Sequence, residues 1–278
     1  DLISIHGQTI HHIDGQITKQ IGNPKYLNIF FQVPVIYEFR KKDIELNGKG
    51  APLVPFLDWL LYKNNNEDTI ALNLGGISNL TYIPTTGHRN KVLGFDTGPG
   101  MSLIDEYVKL TWNNDMDYDA KHSINGKINH NLLDELLKEK FITQNPPKST
   151  SREDFEKLFL IEKIEKFQKI SYNDFIRTLV NFTAITIKIN IDMFLNVSKD
   201  CRLIISGGGA NHPLLIEDLK KNIKIKSLEI LNNENLNVNS KESLLMAVLG
   251  YSCYHNIPNN MISVTGAKEL AVYGEIYE

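Results

Sequence analysis

The sequence predicts an α/β protein of two lobes, and three observations carry the prediction. Residues 70–74, 80–83 and 92–95 are short apolar runs separated by glycine-bearing turns, the pattern of an antiparallel three-strand meander feeding a helix. Residues 202–205 form another apolar run. It passes through Ser206-Gly207-Gly208-Gly209 into helical spacing at 214–221, a strand at 228–231 and a helix at 241–254. Between these blocks lies the longest helical pattern, 175–195, in which Leu179, Phe182, Ile185, Ile189 and Met193 recur at threes and fours. An incomplete first lobe is expected over 1–68 and a second lobe over 69–278, with the last residues able to return to the first.

In chain order, residues 2–5 read as a buried strand ending at His6-Gly7-Gln8-Thr9, and Ile10, Ile13 and Ile17 around Asp14-Gly15 as a short hairpin. His6, His11 and His12 do not share a helical face and have no cysteine nearby, so no metal site is expected there. Hydrogen bonding to a polar ligand suits His6, Gln8 and Thr9 better. Val33-Pro34-Val35-Ile36 is a short strand whose proline points to a sheet edge or a strand start. Arg40-Lys41-Lys42, followed at once by Asp43, reads as a solvated loop. Arg40 itself is a candidate for an acidic substrate, because a guanidinium grips a carboxylate bidentately; a surface ion pair is the plainer alternative. After the turn at 48–50, Pro52 opens an amphipathic helix running to Tyr62.

Within the meander, Gly75-Gly76 makes a bend where main-chain N–H groups can approach an anion. Gly94-Phe95-Asp96-Thr97-Gly98-Pro99-Gly100 then reads as a strand end and turn, and Ser102 with Asp105 as a Ser-x-x-Asp helix start. Asp96 is thereby expected at the C-terminal end of a strand, beside helix amides suited to phosphate, where a carboxylate serves as a base or merely caps the turn. A helix is expected over 101–110, a polar stretch over 113–131 and helical spacing over 132–141. Asn145-Pro146-Pro147-Lys148-Ser149-Thr150 breaks that spacing before a further helix near Arg152, and Lys148 either meets phosphate or is simply solvated. Gly207, Gly208 and Gly209 leave an open shelf for a nucleotide base or ribose, with Asn211 and Pro213 as N-cap and first-turn proline of the next helix. Residues 232–239 are an Asn-rich loop.

At 278 residues, 42% hydrophobic and 23% charged, the chain has the composition of a soluble globular protein. A net charge of −3 with both signs interspersed argues against a nucleic-acid partner. Cys201 and Cys253 lie in apolar runs without CxxC spacing, which excludes a disulfide framework or zinc site and fits a reducing cytoplasm. No run approaches the ~18 apolar residues of a membrane span, and the start at Asp1 reads as a strand under way rather than a signal peptide.

Eight stretches, in order along essentially the whole chain, resemble the anhydro-N-acetylmuramic acid kinase family, a branch of the actin-like ATPases. They are IHGQTIHH from Ile5, EFRKKDIELNGKGAPLVP from Glu38, LNLGGISNLT from Leu72, GFDTGPG from Gly94, PPKSTSREDF from Pro146, SGGGANHPLL from Ser206, KESLLMAVLG from Lys241 and SVTGA from Ser263. The resemblance implies a ribonuclease-H-like second lobe. It also implies ATP-dependent, Mg2+-assisted opening of the 1,6-anhydro ring of the sugar to give the 6-phosphate, with Asp96 as the base that activates water. By the same resemblance Gly75, Gly76 and Gly98 face phosphate, and Gly207, Gly208 and Gly209 lie against the nucleoside. Gln8, Thr9, Arg40 and Glu242 bind the sugar, Arg40 taking its lactyl carboxylate, and the protein is expected to be a homodimer.

Two departures stand out. Met101 replaces the asparagine that follows the family's DTGPG. Family members also carry a Gly-Thr-Ser-x-Asp-Gly phosphate loop before HGQT, whereas this chain begins just ahead of HGQT, so as it stands it is expected to be catalytically crippled. A nucleotide- or sugar-binding regulator without turnover is therefore the alternative from another class, and a related sugar kinase or ATPase of the same superfamily is a third.

Overall fold

The computed structural model describes residues 1–151, 155, 157–198, 200–231 and 238–278. The chain forms two compact units, one from Asp1–Asn65, Ile83–Gly94 and Asn232–Glu278, the other from Asn66–Tyr82 and Phe95–Leu231. The expected lobe boundary at 68/69 lies close to the first division, but the segment after Leu231 is grouped with the first unit as a whole rather than by its last residues alone.

The first unit is built on a three-stranded sheet of order β1 (Ile3–Ser4), β4 (Val35–Tyr37), β10 (Glu275–Tyr277), in which β4 is parallel to β1 and antiparallel to β10. β4 is thus central. Pro34 marks its start, not a sheet edge, because a proline just outside the strand removes no ladder donor. β1 spans two half-buried residues instead of the buried strand expected over 2–5. The expected hairpin is present as β2 (Gln8–Ile13) and β3 (Ile17–Ile21).

Helix α1 (Pro24–Phe31), capped by Asn23, was not legible in the sequence, nor was α2 (Lys41–Glu45). Helix α3 (Val54–Tyr62) starts later than expected, with Pro55 rather than Pro52 in its first turn. Its Phe56 and Leu57, together with Leu245 and Leu249 of α10 (Val238–Tyr254), are buried. A Cβ on Gly250 would lie 2.5 Å from that of Ser4, so glycine is what lets α10 run against β1. The rest of this unit is α11 (Ile262–Thr265) and the return to β10. The Asn-rich stretch falls mostly on residues 232–237, outside the described residues, and 238–239 already belong to α10.

The second unit carries a five-stranded sheet of order β7 (Leu93–Pro99), β6 (Ile77–Ile83), β5 (Thr69–Leu74), β8 (Arg202–Ser206), β9 (Ser227–Ile230). β5, β8 and β9 are mutually parallel. The short connections from β5 to β6 and from β6 to β7 make the other half an antiparallel meander. The resulting mixed sheet is that of a ribonuclease-H-like lobe, as the meander and the later strand–helix alternation predict.

The helices of this unit are α4 (Ser102–Trp112), α5 (His130–Leu136), α6 (Lys140–Thr143), α7 (Lys157–Lys166), α8 (Tyr172–Phe194) and α9 (Pro213–Asn222). The expected run at 132–141 is therefore two short helices, and the helix opening expected near Arg152 falls outside the described residues. α8 packs against α4, α5, α6 and α9; of the expected stripe Leu179 and Phe182 are buried, Ile185 and Ile189 half-buried and Met193 exposed. Arg177 on α8 holds Asp218 on α9 bidentately at 2.7 and 2.8 Å, and Asn181 Nδ2 donates to the same carboxylate at 2.9 Å.

Candidate active site

Asp96 sits inside β7, three residues short of its end, rather than at a strand terminus. The ladder continues past it because the neighbouring polar side chains cross-link β6 and β7. The Ser78 and Thr97 hydroxyls are 2.5 Å apart, and Thr97 Oγ1 also donates to Ser78 O at 3.2 Å. From the other side α8 donates to the strand backbone, Asn190 Nδ2 to Thr97 O at 3.1 Å and Thr183 Oγ1 to Gly100 O at 2.9 Å. Gly98 takes φ +139°, a value that only glycine adopts readily, and the chain turns at Gly100 and Met101.

The Asp96 carboxylate is half-buried and oriented by one loop. Its Oδ2 accepts the Thr150 N–H at 2.9 Å, and its own N–H donates to Lys148 O at 3.2 Å. Lys148, expected as a solvated or phosphate-facing loop residue, is 2% exposed. Its ammonium donates to the carbonyls of Phe141 and Ile142, each at 2.9 Å, and lies near the rings of Phe95, Phe141 and Phe194. Burial brings it down to about 8, against the opposing pull of Asp96. Lys148 therefore locks the 146–150 loop that holds Asp96.

Helix α4 begins differently from its sequence signature. Met101 occupies the N-cap position and Ser102 the first turn, with no side-chain cap. The amides are instead satisfied by the glycine bend: Gly100 N–H and Ser102 N–H donate to Gly76 O at 2.9 and 3.1 Å, and Met101 N–H to Gly75 O at 2.9 Å. These three donors, expected to be available to phosphate, are already engaged. A Cβ on Gly100 would fall 2.2 Å from Gly75 O, so the close approach requires glycine.

The Gly75-Gly76 bend, Met101 and Asp105 line one wall of a cleft of about 470 Å³. Gly208, Gly209 and His212 line another. Gly207 has φ +91° with Leu74 O 2.6 Å from any Cβ, and Gly209 is closed in by Leu74 and Met101. Gly208 alone of the three faces open space, with nothing within 4 Å of a Cβ. The third wall is Met116, Asp117, Tyr118 and Asp119.

The cap of α9 is His212, not Asn211: its Nδ1 accepts the Leu215 N–H at 3.3 Å. That leaves Nε2–H to donate to Asp117 Oδ2 at 3.4 Å. Asp117 also accepts from His122 N–H and Ser123 N–H. Its burial alone would raise it, but these hydrogen bonds outweigh burial and hold the carboxyl at about 2. Neither residue was identified from sequence. A histidine before a helix-starting proline was the available signal.

In the first unit, Arg40 is drawn inward. Its Nε donates to His6 Nε2 at 2.8 Å and its Nη1 to Gly50 O at 2.9 Å. His6 therefore accepts at Nε2 and donates Nδ1–H to Gly7 O at 2.9 Å; burial and the Arg40 charge both depress it. Glu242, exposed on α10, is close enough for its charge to act on His6 in the opposite sense. Arg40 and His6 thus form a hydrogen-bonded pair on which Glu242 acts only through its charge on His6. Gln8 is exposed on β2 with its side chain against Thr9 O, and the Thr9 hydroxyl accepts from Gln20 across the hairpin. Among the described residues no group of three or more His, Cys, Asp or Glu side chains is placed to hold a metal ion. Cys201 and Cys253 are buried free thiols.

The family model for anhydro-N-acetylmuramic acid kinase matches residues 1–278. The anhydro-N-acetylmuramic acid kinase of Clostridioides difficile is 37% identical over 99% of this chain and 74% of its own length; that of Bacillus cereus is 34% identical over 99% and 75%. The chain belongs to the anhydro-N-acetylmuramic acid kinase family. Among solved structures, the activator of the 2-hydroxyisocaproyl-CoA dehydratase from Clostridium difficile with bound ADPNP aligns with a TM-score of 0.43 and 12% identity, covering 72% of this chain and 64% of that one. A likeness at that level adds nothing to the assignment. The chain is thus a member of a carbohydrate kinase family, and its Asp96, glycine cleft and Arg40–His6 pair are the places where a kinase's groups can be sought.

Proposed function

We propose that this chain is an ATP-dependent kinase that hydrolytically opens the 1,6-anhydro bridge of anhydro-N-acetylmuramic acid and delivers the 6-phosphate sugar to cell-wall recycling. The observation that carries the reading is the Asp96 carboxylate, held at 2.9 Å by Thr150 N–H in a chain of this family. Asp96 takes a proton from water as the water oxygen attacks the anomeric carbon. The bond from that carbon to the bridging oxygen breaks, the freed oxygen takes the γ-phosphoryl group, and ADP leaves.

In this reading the second unit is the nucleotide lobe. Gly75, Gly76 and Gly98 lie toward the phosphates and Gly207, Gly208 and Gly209 toward the nucleoside, with Gly208 offering the open face. Mg2+ would travel on the phosphates, since this ion keeps most of its waters and takes few protein ligands. Asp105, which lines the cleft with Gly75 and Gly76, is a carboxylate that would lie on the side of the phosphates. The first unit is the sugar side, with Gln8, Thr9, Arg40 and Glu242. His6 and Gly50 use Nε and one proton of Nη1, and among the described residues Nη2 makes no hydrogen bond, which would let that side of Arg40 meet the lactyl carboxylate. A homodimer in the cytoplasm completes the proposal; among the described residues no helix is long and apolar enough to cross a membrane.

The test is coupled ADP release with anhydro-N-acetylmuramic acid, glucose and N-acetylglucosamine side by side, with Asp96→Asn as control. Release with the first sugar alone, lost in the variant while calorimetric sugar binding persists, is expected; membership of the kinase family favours this outcome over the loss of turnover expected from the sequence. Equal release with all three sugars, or full activity in Asp96→Asn, would refute it.

A further inference from the structure

Asp43 is completely buried in the first unit, yet among the described residues no cation joins the hydrogen-bond network that surrounds it. Its Oδ2 accepts Gly50 N–H at 2.5 Å, and its Oδ1 accepts Thr265 Oγ1–H at 2.6 Å and the Tyr273 hydroxyl. The direction of the last bond is fixed. Asn260 Nδ2 donates to the same Tyr273 oxygen at 2.9 Å, so the phenol proton must point to the carboxylate. Asn260 is itself held by Glu269 O and Ala271 N–H. The Asp43 main chain also closes on the loop, accepting Gly48 N–H at 2.8 Å, and a Cβ on Gly48 would lie 2.2 Å from the carboxylate.

A carboxylate this deep is costly unless it serves several donors at once. Here the donors belong to two segments, the 48–50 loop and the 265–273 stretch, and the loop ends at the carbonyl that receives Arg40. Gly50 thus donates its N–H to Asp43 while its own C=O accepts Arg40 Nη1, one residue linking the two charges. Burial pulls the Arg40 guanidinium below its ordinary value, and the Asp43 charge is what opposes this.

We propose that Asp43 is a positioning residue for substrate recognition: through Gly50 it fixes the orientation of Arg40, and so sets the preference for a sugar that bears a carboxylate. The inference rests on the assignment of Arg40 to the sugar carboxylate. It extends that assignment to Asp43, Thr265 and Tyr273, none of which contacts the sugar in this scheme.

The experiment compares wild type, Arg40→Ala, Asp43→Asn and Tyr273→Phe for binding and turnover of anhydro-N-acetylmuramic acid against 1,6-anhydro-N-acetylglucosamine, which lacks the lactyl arm. Asp43→Asn is expected to cut the preference for the carboxylate-bearing sugar by about tenfold or more, with the nucleotide KM within about twofold of wild type. Tyr273→Phe keeps the charge and removes one donor, so a smaller loss, roughly two- to fivefold, is expected. It also carries the test if Asp43→Asn does not fold. Arg40→Ala losing the preference while Tyr273→Phe and any folded Asp43→Asn retain it in full would overturn the inference alone. Arg40→Ala retaining it would overturn the assignment of Arg40 and this inference with it.

Discussion

Replacing Lys148 by methionine removes a buried ammonium from the loop that holds Asp96, and the structure sets two opposing effects. Burial lowers Lys148 from 10.5 to about 8, a differential of about 3 kcal/mol between its protonation states, undiminished by solvent at a residue this deep. The sign follows from proton binding. Between pH 8 and 10.5 the unfolded chain holds a proton that the folded chain has released, so folding stability rises with pH across that window. Below pH 8 the full cost is present. Lys148→Met abolishes that cost but leaves the carbonyls of Phe141 and Ile142 without their donor, at about 1–3 kcal/mol each.

The two effects nearly cancel at pH 7, where the variant should lie within about 2 kcal/mol of wild type. At pH 10 most of the burial cost is gone and the orphaned carbonyls dominate, so the variant should be less stable by about 2–5 kcal/mol, a swing of about 3 kcal/mol from pH 7. Urea-unfolding free energies of both proteins at pH 7 and pH 10 measure the swing, and groups common to both cancel in the difference. A difference that stays constant to about 0.5 kcal/mol would refute the depressed ammonium and with it the account of this loop.

Gly100→Ala forces a Cβ against Gly75 O and breaks up the three amide bonds between the glycine bend and α4, so a loss of about 2–5 kcal/mol is expected in urea unfolding. Gly208→Ala should leave stability within about 0.5 kcal/mol while raising the nucleotide KM, whereas Gly207→Ala, at φ +91° beneath Leu74 O, should cost about 2 kcal/mol or more. Equal effects from the two would remove the distinction between them. Asp117 is held at about 2 instead of 3.8, so its contribution of about 2 kcal/mol is present above pH 3.8 and lost as pH falls through about 2. Asp117→Asn should therefore be destabilising at neutral pH, with the gap to wild type closing in acid. Burial raises Cys201 to about 12, so it should resist iodoacetamide at pH 8 until the protein is unfolded, as mass spectrometry of the intact chain would show.

The second unit was legible because its strands are apolar runs long enough to be buried on both faces and its punctuation is glycine. Residues 70–74 and 202–205 each fall within a central strand of the sheet. The first unit was legible only in part: the hairpin, β4, α3 and α10 were expected, α1 and α2 were not. Its strands are two to six residues long, and α2 packs Asp43 inward among charged neighbours that read as a solvated run. Helix α1 exposes Tyr26, Ile29, Phe30 and Phe31, so most of its apolar residues do not mark a face packed on a core.

The candidate site shows why motifs outrun geometry. GFDTGPG was read as a strand end and turn because Gly98 and Gly100 flank a proline, yet residues 94–99 continue β7, and the turn starts only at Gly100. What extends the strand is a set of hydroxyls and an amide on other elements, Ser78 on β6 and Thr183 and Asn190 on α8, and no local window contains them. The helix-start amides fared likewise. Ser-x-x-Asp predicts a capping box, but the carbonyls of Gly75 and Gly76 reach those N–H groups first, because glycine at position 100 admits them to within hydrogen-bonding distance. An anion in this cleft must then be bound by donors other than the amides of residues 100–102, and of the three shelf glycines Gly208 is the one that faces open space.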